Sequence, residues 1–525
     1  FHNIDALGGF TMQKGASISN SISMQMLPNE SLGMSGLDEG DFNKMSASRS
    51  DWSLTSFLGR LNYNYNYKYY ATASFRTDGS SKFSKGNKWG YFPSASLMWR
   101  FSKEKFMTKQ NIVEDAKIRV SWGATGNNRV GPFDYYSQLV SSPIFKYYFG
   151  NEPVKGTAIS KFGNPNLKWE TTYQTNLGLD LVLFKGRINL TADYYWKKTN
   201  DLLLNAQMPG STGFTSVYKN IGSISNRGLE LSVKTLNIQT RNFSWSSDFN
   251  ITFNRSKLLG LTENQNSLSI GVSSLDNNWS NIPAYIARVG DPLGMMYGYI
   301  YEGTYKYDDF DKKGNNYILK STVPYIGDDR SAIQPGDMKY RDINNDGIID
   351  DNDRTIIGRG SPVHIGGFNN TFTYKNFDLS LFFQWSYGND ILNANRYMFE
   401  LGNKTTQNMY AKYCGRWTSD NPMSNIPRVR ATGGTVYSDY VVEDGSYLRL
   451  KNVTLGYNFP KKYIQKLYLS RLRLYVTAQN LITFTGYSGM DPEVSVRNSA
   501  LTPGFDFSAY PRARTFTFGI NLTLK

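Results

Sequence analysis

The sequence predicts an all-β protein, a transmembrane antiparallel β-barrel to which this chain contributes about fifteen strands. Three observations carry that prediction. Apolar and polar residues alternate in long runs, aromatic residues collect at the ends of those runs, and very short turns alternate with long polar connections.

The alternation has period two, the pattern of a strand with one dry and one wet face. Phe57, Gly59, Leu61, Tyr63 and Tyr65 alternate with Leu58, Arg60, Asn62 and Asn64. Ala95, Leu97, Trp99 and Phe101 alternate with Ser94, Ser96 and Arg100, and Ala116, Ile118, Val120 and Trp122 with Lys117, Arg119 and Ser121. Ile188, Leu190, Ala192, Tyr194 and Trp196 do so with Arg187, Asn189, Thr191, Asp193 and Lys197. These runs approach about ten residues, enough to cross a bilayer at a barrel's tilt, whereas sandwich strands run about five or six.

Aromatic residues band the apolar face. Tyr63 and Tyr65, Trp99 and Phe101, Tyr194 and Trp196, and Phe383 and Trp385 sit at run ends, with Leu, Ile, Val and Ala between. Girdles at two membrane interfaces give this banding. Cross-strand aromatic packing in a soluble sheet is the alternative, but charges fill the opposite face along the whole chain, as a water-filled lumen requires.

Short turns near 66–68, 185–186, 238–241, 290–292 and 375–376 alternate with polar stretches 125–168, 306–363 and 388–445. Bacterial barrels place short turns in the periplasm and long loops outside. Connections 103–114 and 459–469 are lysine-rich and long enough for one helical turn each. The final segment, 515–524, alternates without error. Counting back from it places strands near 510–524, 470–482, 446–458, 377–387, 364–374, 295–305, 281–289 and 242–255, then 226–236, 187–199, 170–184, 115–124, 92–102, 69–77 and 54–65. A switch of face after Leu448 and Leu450 predicts a bulge near Lys451 and Asn452. Residues 1–53, rich in Ser, Met, Asn and Gly, read as an extracellular segment, and 54–525 as the C-terminal part of a barrel, since single-chain bacterial barrels have even strand numbers.

Composition removes other classes. The 525 residues carry 58 Lys and Arg against 43 Asp and Glu, a net charge of +15, with 15% aromatic and 19% charged residues. That is too aromatic for disorder. A mean hydropathy of −0.47 and the lack of a long apolar run exclude a helical membrane protein but not a barrel. One cysteine, Cys414, excludes disulfides and cysteine-based metal centres, and His2 and His364 leave little imidazole chemistry. His364 reads as an ordinary strand residue and Cys414 as a buried loop thiol. No nucleophile elbow, phosphate loop or paired catalytic carboxylates occur, so nothing supports an enzyme. The basic residues are spread over lumen positions and turns rather than forming a nucleic-acid stripe; lipopolysaccharide or an anionic ligand fits them equally. The start, Phe1-His2-Asn3-Ile4-Asp5, does not resemble a signal peptide, so a signal was removed or the chain is a fragment.

Several long motifs, in order, closely resemble the SusC/RagA class of TonB-dependent outer-membrane transporters of Bacteroidota. They are Phe162-Gly-Asn-Pro-Asn-Leu-Lys-Trp-Glu170, Gly336-Asp-Met-Lys-Tyr-Arg-Asp-Ile-Asn-Asn-Asp-Gly347, Gly366-Gly-Phe-Asn-Asn-Thr-Phe-Thr-Tyr-Lys-Asn-Phe-Asp-Leu-Ser380, Leu448-Arg-Leu-Lys-Asn-Val-Thr-Leu-Gly-Tyr457, Leu474-Tyr-Val-Thr-Ala-Gln-Asn-Leu481 and Gly486-Tyr-Ser-Gly-Met-Asp-Pro-Glu493. The resemblance implies a 22-stranded barrel around an N-terminal plug, a TonB box before the plug, and a SusD-like lipoprotein lid. Signal, TonB box, plug and early strands have no counterpart in this chain. Fifteen of 22 strands would leave seven upstream and put residue 1 in an extracellular loop.

Within loop 306–363, residues 342–353 fit an EF-hand-like calcium loop. Asp342, Asn344, Asp346, Asp350 and Asp353 supply side-chain oxygens at positions 1, 3, 5, 9 and 12, Gly347 the sharp turn, and Ile348 the backbone carbonyl. Asp rather than Glu at position 12 shortens the reach. Crowded carboxylates repel unless a cation neutralises them, so a structural Ca²⁺ is expected; a solvated acidic turn is the alternative.

The functional expectation is active import of oligosaccharides or peptides captured under the lid, with TonB displacing the plug. Arg60, Arg76, Arg100, Arg119 and Asp193 are expected to face the lumen. Trp279, Tyr305, Tyr307 and Trp417 are candidates for stacking on sugar rings, with loop packing favoured for each. A scaffold role or a passive pore is the alternative.

Overall fold

The computed structural model describes all residues except Glu30, Thr108, Pro209, Thr215, 262–264, 273–281, 403–406, 430–435, Asn498 and Lys525. Fourteen strands form one sheet in sequence order. They are β1 (His2–Gln25), β2 (Asp41–Tyr65), β3 (Tyr69–Ser80), β4 (Trp89–Trp99), β5 (Val113–Asn127), β6 (Glu170–Leu183) and β7 (Ile188–Asn200). There follow β8 (Ser223–Gln239), β9 (Phe243–Gly260), β10 (His364–Tyr374), β11 (Phe377–Tyr387), β12 (Tyr447–Asn458), β13 (Leu469–Thr485) and β14 (Thr515–Leu524). Among the described residues the order runs from β1 to β14, and those two strands are not paired with each other.

Connections 66–68, 100–112, 184–187, 240–242, 375–376 and 459–468 lie at one end of the strands and 26–40, 81–88, 128–169, 201–222, 261–363, 388–446 and 486–514 at the other. The expected helical turns are present: Lys461–Ile464 is α-helical, and 3₁₀ turns span Phe101–Lys103 and Lys105–Met107. The expected bulge is there too, as a register shift between Leu450 and Asn452 against β13. Strands 364–374 and 377–387 begin and end where the alternation put them.

Two expectations are corrected. The strands anticipated at 281–289 and 295–305 are not in the large sheet, so fourteen strands replace about fifteen. Pro283–Arg288 and Met295–Gly298 belong instead to a four-stranded sheet with Ser267–Gly271 and Thr355–Arg359. The reason is visible in burial: Ala284, Tyr285, Ile286 and Ala287 are buried consecutively, so both faces of that strand are covered. A lipid-facing strand would bury alternate residues only.

Residues 1–53, anticipated as loop, hold β1 and the first half of β2, paired from His2 with Tyr65 to Gln25 with Asp41. Ile4, Phe10 and Met12 preserve a period-two face, but Ser, Gly and Asn dilute it below recognition. Phe1 consequently lies at the short-turn end, where its carbonyl accepts from the Asn66 amide at 2.7 Å, and not among the long connections.

The apolar faces stay bare. Phe57, Leu61, Leu97, Trp99, Val120, Trp122, Tyr194 and Trp196 are all exposed. Such a surface is costly in water and suits hydrocarbon. No helix among the described residues is long and apolar enough to cross a membrane, which says nothing about strands.

The chain divides into two compact units. In the first (residues 1–100, 119–177 and 197–224), Phe83, Phe92, Ala124, Val130, Leu167 and Trp169 form a small core. In the second, a larger core gathers described parts of the connections 261–363, 388–446 and 486–514 around Tyr285, Met296, Tyr305, Met338, Tyr340, Leu392, Tyr397 and Phe505.

Candidate functional site

The resembling motifs turn out to be structural anchors. In 162–170, Trp169 packs against Phe92 (5.4 Å between centroids) and Phe83 (5.5 Å), and its indole donates to the Lys88 carbonyl at 2.9 Å. Leu167 is fully buried beside it, and Asn164 donates to the Tyr218 carbonyl. In 336–347, Gly336 adopts φ +88, where a Cβ would meet the Trp417 ring at 2.4 Å. Asp337 is fully buried and accepts from Arg428 Nε at 2.6 Å and from the Gln334 amide at 2.8 Å.

Motifs 448–457 and 486–493 meet each other. Arg449, 1% exposed, donates through Nη2 to Asp491 at 2.5 Å, through Nη1 to Glu493 at 3.0 Å and through Nε to Thr483 at 2.9 Å. Lys451 and Arg512 also reach Glu493 at 3.1 Å each. Burial works to raise the Asp491 pKa, but the Arg449 hydrogen bond and charge and the Glu493 and Arg512 amides hold it below the usual carboxylate value. The loop 486–514 is thereby fastened to the top of β12. Sequence reading missed this network because its members lie about forty residues apart, with no local spacing to betray them.

In the carboxylate loop, Asp342 accepts from the Asn345 and Gly347 amides at 2.7 and 2.8 Å, with Gly347 at φ +86 as the sharp turn requires. Asn344 donates through its side chain to Asp346 at 2.9 Å, and Asp346 accepts from the Ile348 amide at 2.9 Å. Asp353 is fully buried and closes the loop, accepting from Ile343 at 2.7 Å and from Asp350 at 2.9 Å, while Asp350 accepts from the Asn352 amide at 2.8 Å. Backbone amides thus hold the carboxylates of Asp342, Asp346, Asp350 and Asp353, while Asp351 pairs with Arg354 at 2.9 Å. Among the described residues no three acidic, His or Cys side chains converge as a metal cluster.

The polar faces are arranged as anticipated for several charged residues. Arg60 stands opposite Ser74, and Ser74 hydrogen-bonds Ser94 at 2.6 Å on the same face. Arg76 shares that face, bonding Asp78 at 2.9 Å and Ser56 at 3.1 Å. Arg100 has the parity of Ser94, and Arg119 that of Gly123, whose missing side chain would meet Ser94. Asp193 has the parity of Thr191, which donates to Asp180 at 3.2 Å.

The aromatic candidates divide. Tyr305 is a core residue, fully buried, with its hydroxyl donating to the Pro324 carbonyl at 2.7 Å. Tyr307 and Trp417 are half-buried and pack together at 5.6 Å. Trp279 lies outside the described residues. His364 is a strand residue, as expected, accepting from the Trp385 indole at 3.1 Å and stacked on Tyr387. Cys414 is corrected: it is exposed, because the five-residue 3₁₀ turn Ala411–Gly415 lies on the loop surface.

A family profile described as TonB dependent receptor-like, beta-barrel matches residues 25–481. The chain belongs to the TonB-dependent receptor family. It is 37% identical over 527 residues to TonB-dependent receptor P3 of Formosa agariphila, an alignment covering 99% of this chain and 50% of that protein. It is 32% identical over 477 residues to TonB-dependent receptor SusC of Bacteroides thetaiotaomicron, covering 90% of this chain and 44% of that one. The RagAB peptide transporter structure superposes with a TM-score of 0.79 at 25% identity, covering 99% of this chain and 53% of that one. The chain therefore spans about half the length of these relatives. It is SusC/RagA-like and an outer-membrane protein with the TonB-dependent β-barrel fold, and its family is one of transporters.

Proposed function

We propose that this chain is the C-terminal part of an outer-membrane importer that takes up oligosaccharides or peptides under a SusD-like lipoprotein lid, energised by TonB. The observation that carries the reading is the fourteen-strand sheet in sequence order, in a chain matched over 90% by SusC and over 99% by a structure described as a peptide importer. Short turns then face the periplasm and long connections the outside. A 22-stranded barrel needs about eight further strands, which an upstream segment carrying plug and TonB box supplies. The long connections fold around their own tyrosine core and give a lid a firm rim. Ligand uptake by cells whose TonB box is deleted tests the reading: loss is expected, while unchanged uptake refutes it in favour of a passive pore or scaffold.

We also propose that residues 342–353 take a structural Ca²⁺ through Asp342, Asn344, Asp346, the Ile348 carbonyl, Asp350 and Asp353. The six-position spacing and the turn at Gly347 support it. Calorimetry on the full-length transporter is expected to show calcium binding that Asp346→Asn weakens about tenfold or more; no heat from wild type overturns it.

A further inference from the structure

Along two adjacent strands, the lipid-facing parity changes character near the long-connection end. In β8, Val233, Leu231 and Leu229 lead to Arg227, while Lys234, Ser232, Glu230 and Gly228 take the other face. In β9, Phe249, Ile251 and Phe253 lead to Arg255 and Lys257, alternating with Asn250, Thr252, Asn254 and Ser256. Both series run from grease to cation in the same direction. Arg359, at the end of the strand Thr355–Arg359, joins them from the folded connection.

These four cations line one cavity of about 530 Å³ within the second unit, whose other walls include Tyr194, Leu229 and Phe253. Arg227, Arg255 and Lys257 are exposed. Among the described residues no carboxylate makes an ion pair with any of the four. The nearby Asp291 is taken by Arg288 at 2.6 Å, and Asp390 accepts from the Arg359 backbone amide at 2.7 Å rather than from its guanidinium. Arg359 Nε is buried without a hydrogen-bond partner. Burial and the charge of Arg255 hold the Arg359 pKa below its usual value, with Asp390 opposing.

A cation on the outward face costs about 2–4 kcal/mol at the bilayer midplane and about 0–1 near the interface, so this cluster belongs at headgroup level. There, unpaired guanidiniums select phosphate through forked hydrogen bonds. We infer that Arg227, Arg255, Lys257 and Arg359 form a binding site for the phosphate of an outer-leaflet glycolipid such as lipopolysaccharide, whose acyl chains lie along Tyr194, Leu229 and Phe253. The site lies on the lipid side of the sheet, away from the lumen through which ligand passes. It rests on the outer-membrane orientation above but not on import.

The test uses the full-length protein extracted from the outer membrane in mild detergent. Native mass spectrometry counts retained lipopolysaccharide for wild type, Arg255→Gln, Lys257→Gln and the triple neutralisation with Arg359→Gln, with heat-modifiable migration confirming that each barrel folds. Each removed cation is expected to weaken retention roughly fivefold, and the triple variant to lose it. Phosphate-free lipid A is expected to bind no better to wild type than to the triple variant, and inorganic phosphate alone to leave lipid retention unchanged. Retention that is the same in wild type and triple variant overturns the site. Displacement of the lipid by millimolar phosphate overturns the lipid assignment, marking the cavity as one for soluble anions. Normal ligand uptake in the triple variant supports a site separate from transport; lost uptake in a folded variant overturns that separation.

Discussion

Arg449 gives the most direct test of how the outer connections are held to the sheet. It is 1% exposed and serves Asp491, Glu493 and Thr483 at once. Replacing it with Met keeps most of the volume and strands Asp491, whose side chain is 12% exposed, while Glu493 keeps Lys451 and Arg512. Removing one partner of a fully buried pair costs about 3–5 kcal/mol, and the residual water access here favours the lower end, about 3 kcal/mol. The loss falls on loop 486–514, not on the whole sheet, because β12 keeps its pairing with β11 and β13. Native-state hydrogen exchange reads it at the Glu493 and Arg512 amides, which donate to Asp491 at 2.8 and 3.2 Å. A 3 kcal/mol loss accelerates their exchange by about a hundredfold. Adding Asp491→Asn to Arg449→Met is expected to restore most of the protection, since the carboxylate that lost its cation is then neutral and Glu493 keeps Lys451 and Arg512. Exchange within threefold of wild type in Arg449→Met refutes the argument, as does a double variant no better than the single.

Three further perturbations are specific. Asp439 accepts from the Tyr301 amide at 2.7 Å, and burial raises its pKa despite that bond. A raised folded pKa means stability present below the unfolded value, near 3.8, and lost as pH rises through the folded value. Asp439→Asn keeps the acceptor, so it is expected to raise loop protection at neutral pH and to flatten its decline above about pH 4; an unchanged pH profile of exchange at Tyr301 counts against it. Trp169→Ala is expected to cost about 3–5 kcal/mol, read as a lower unfolding midpoint of the folded barrel in denaturant; a change under 1 kcal/mol would contradict the packing. Gly336→Ala meets both φ +88 and the Trp417 ring, a loss of about 1–3 kcal/mol that faster proteolysis within 388–446 would report and unaltered cleavage would exclude.

What could be read from the sequence follows from how far each signal reaches along the chain. Strands β10 and β11 were legible because one turn joins two runs that alternate cleanly. The bulge at Leu450 was legible because a face switch is a local event. The hairpin of β1 and β2 was not, since Ser, Gly and Asn occupy positions where neither lipid nor lumen demands a large side chain, and the alternation has little amplitude there. Residues 283–288 misled in the opposite sense: Ala284 to Ala287 are apolar enough for a strand, but only the surrounding tyrosine core shows that both faces are covered. The carboxylate loop was found by spacing alone, as local motifs are. The four cations at the outer rim were invisible for the converse reason. Arg227 and Arg255 each look like one more charge at a strand end, and Arg359 arrives from about a hundred residues away. Strand order brings Arg227, Arg255 and Lys257 together at the common parity of Leu229 and Phe253, and the folded connection adds Arg359 to the same cavity. Part of the net charge of +15 thereby acquires a physical purpose: cations left without carboxylate partners on the membrane side suit a bound anion there.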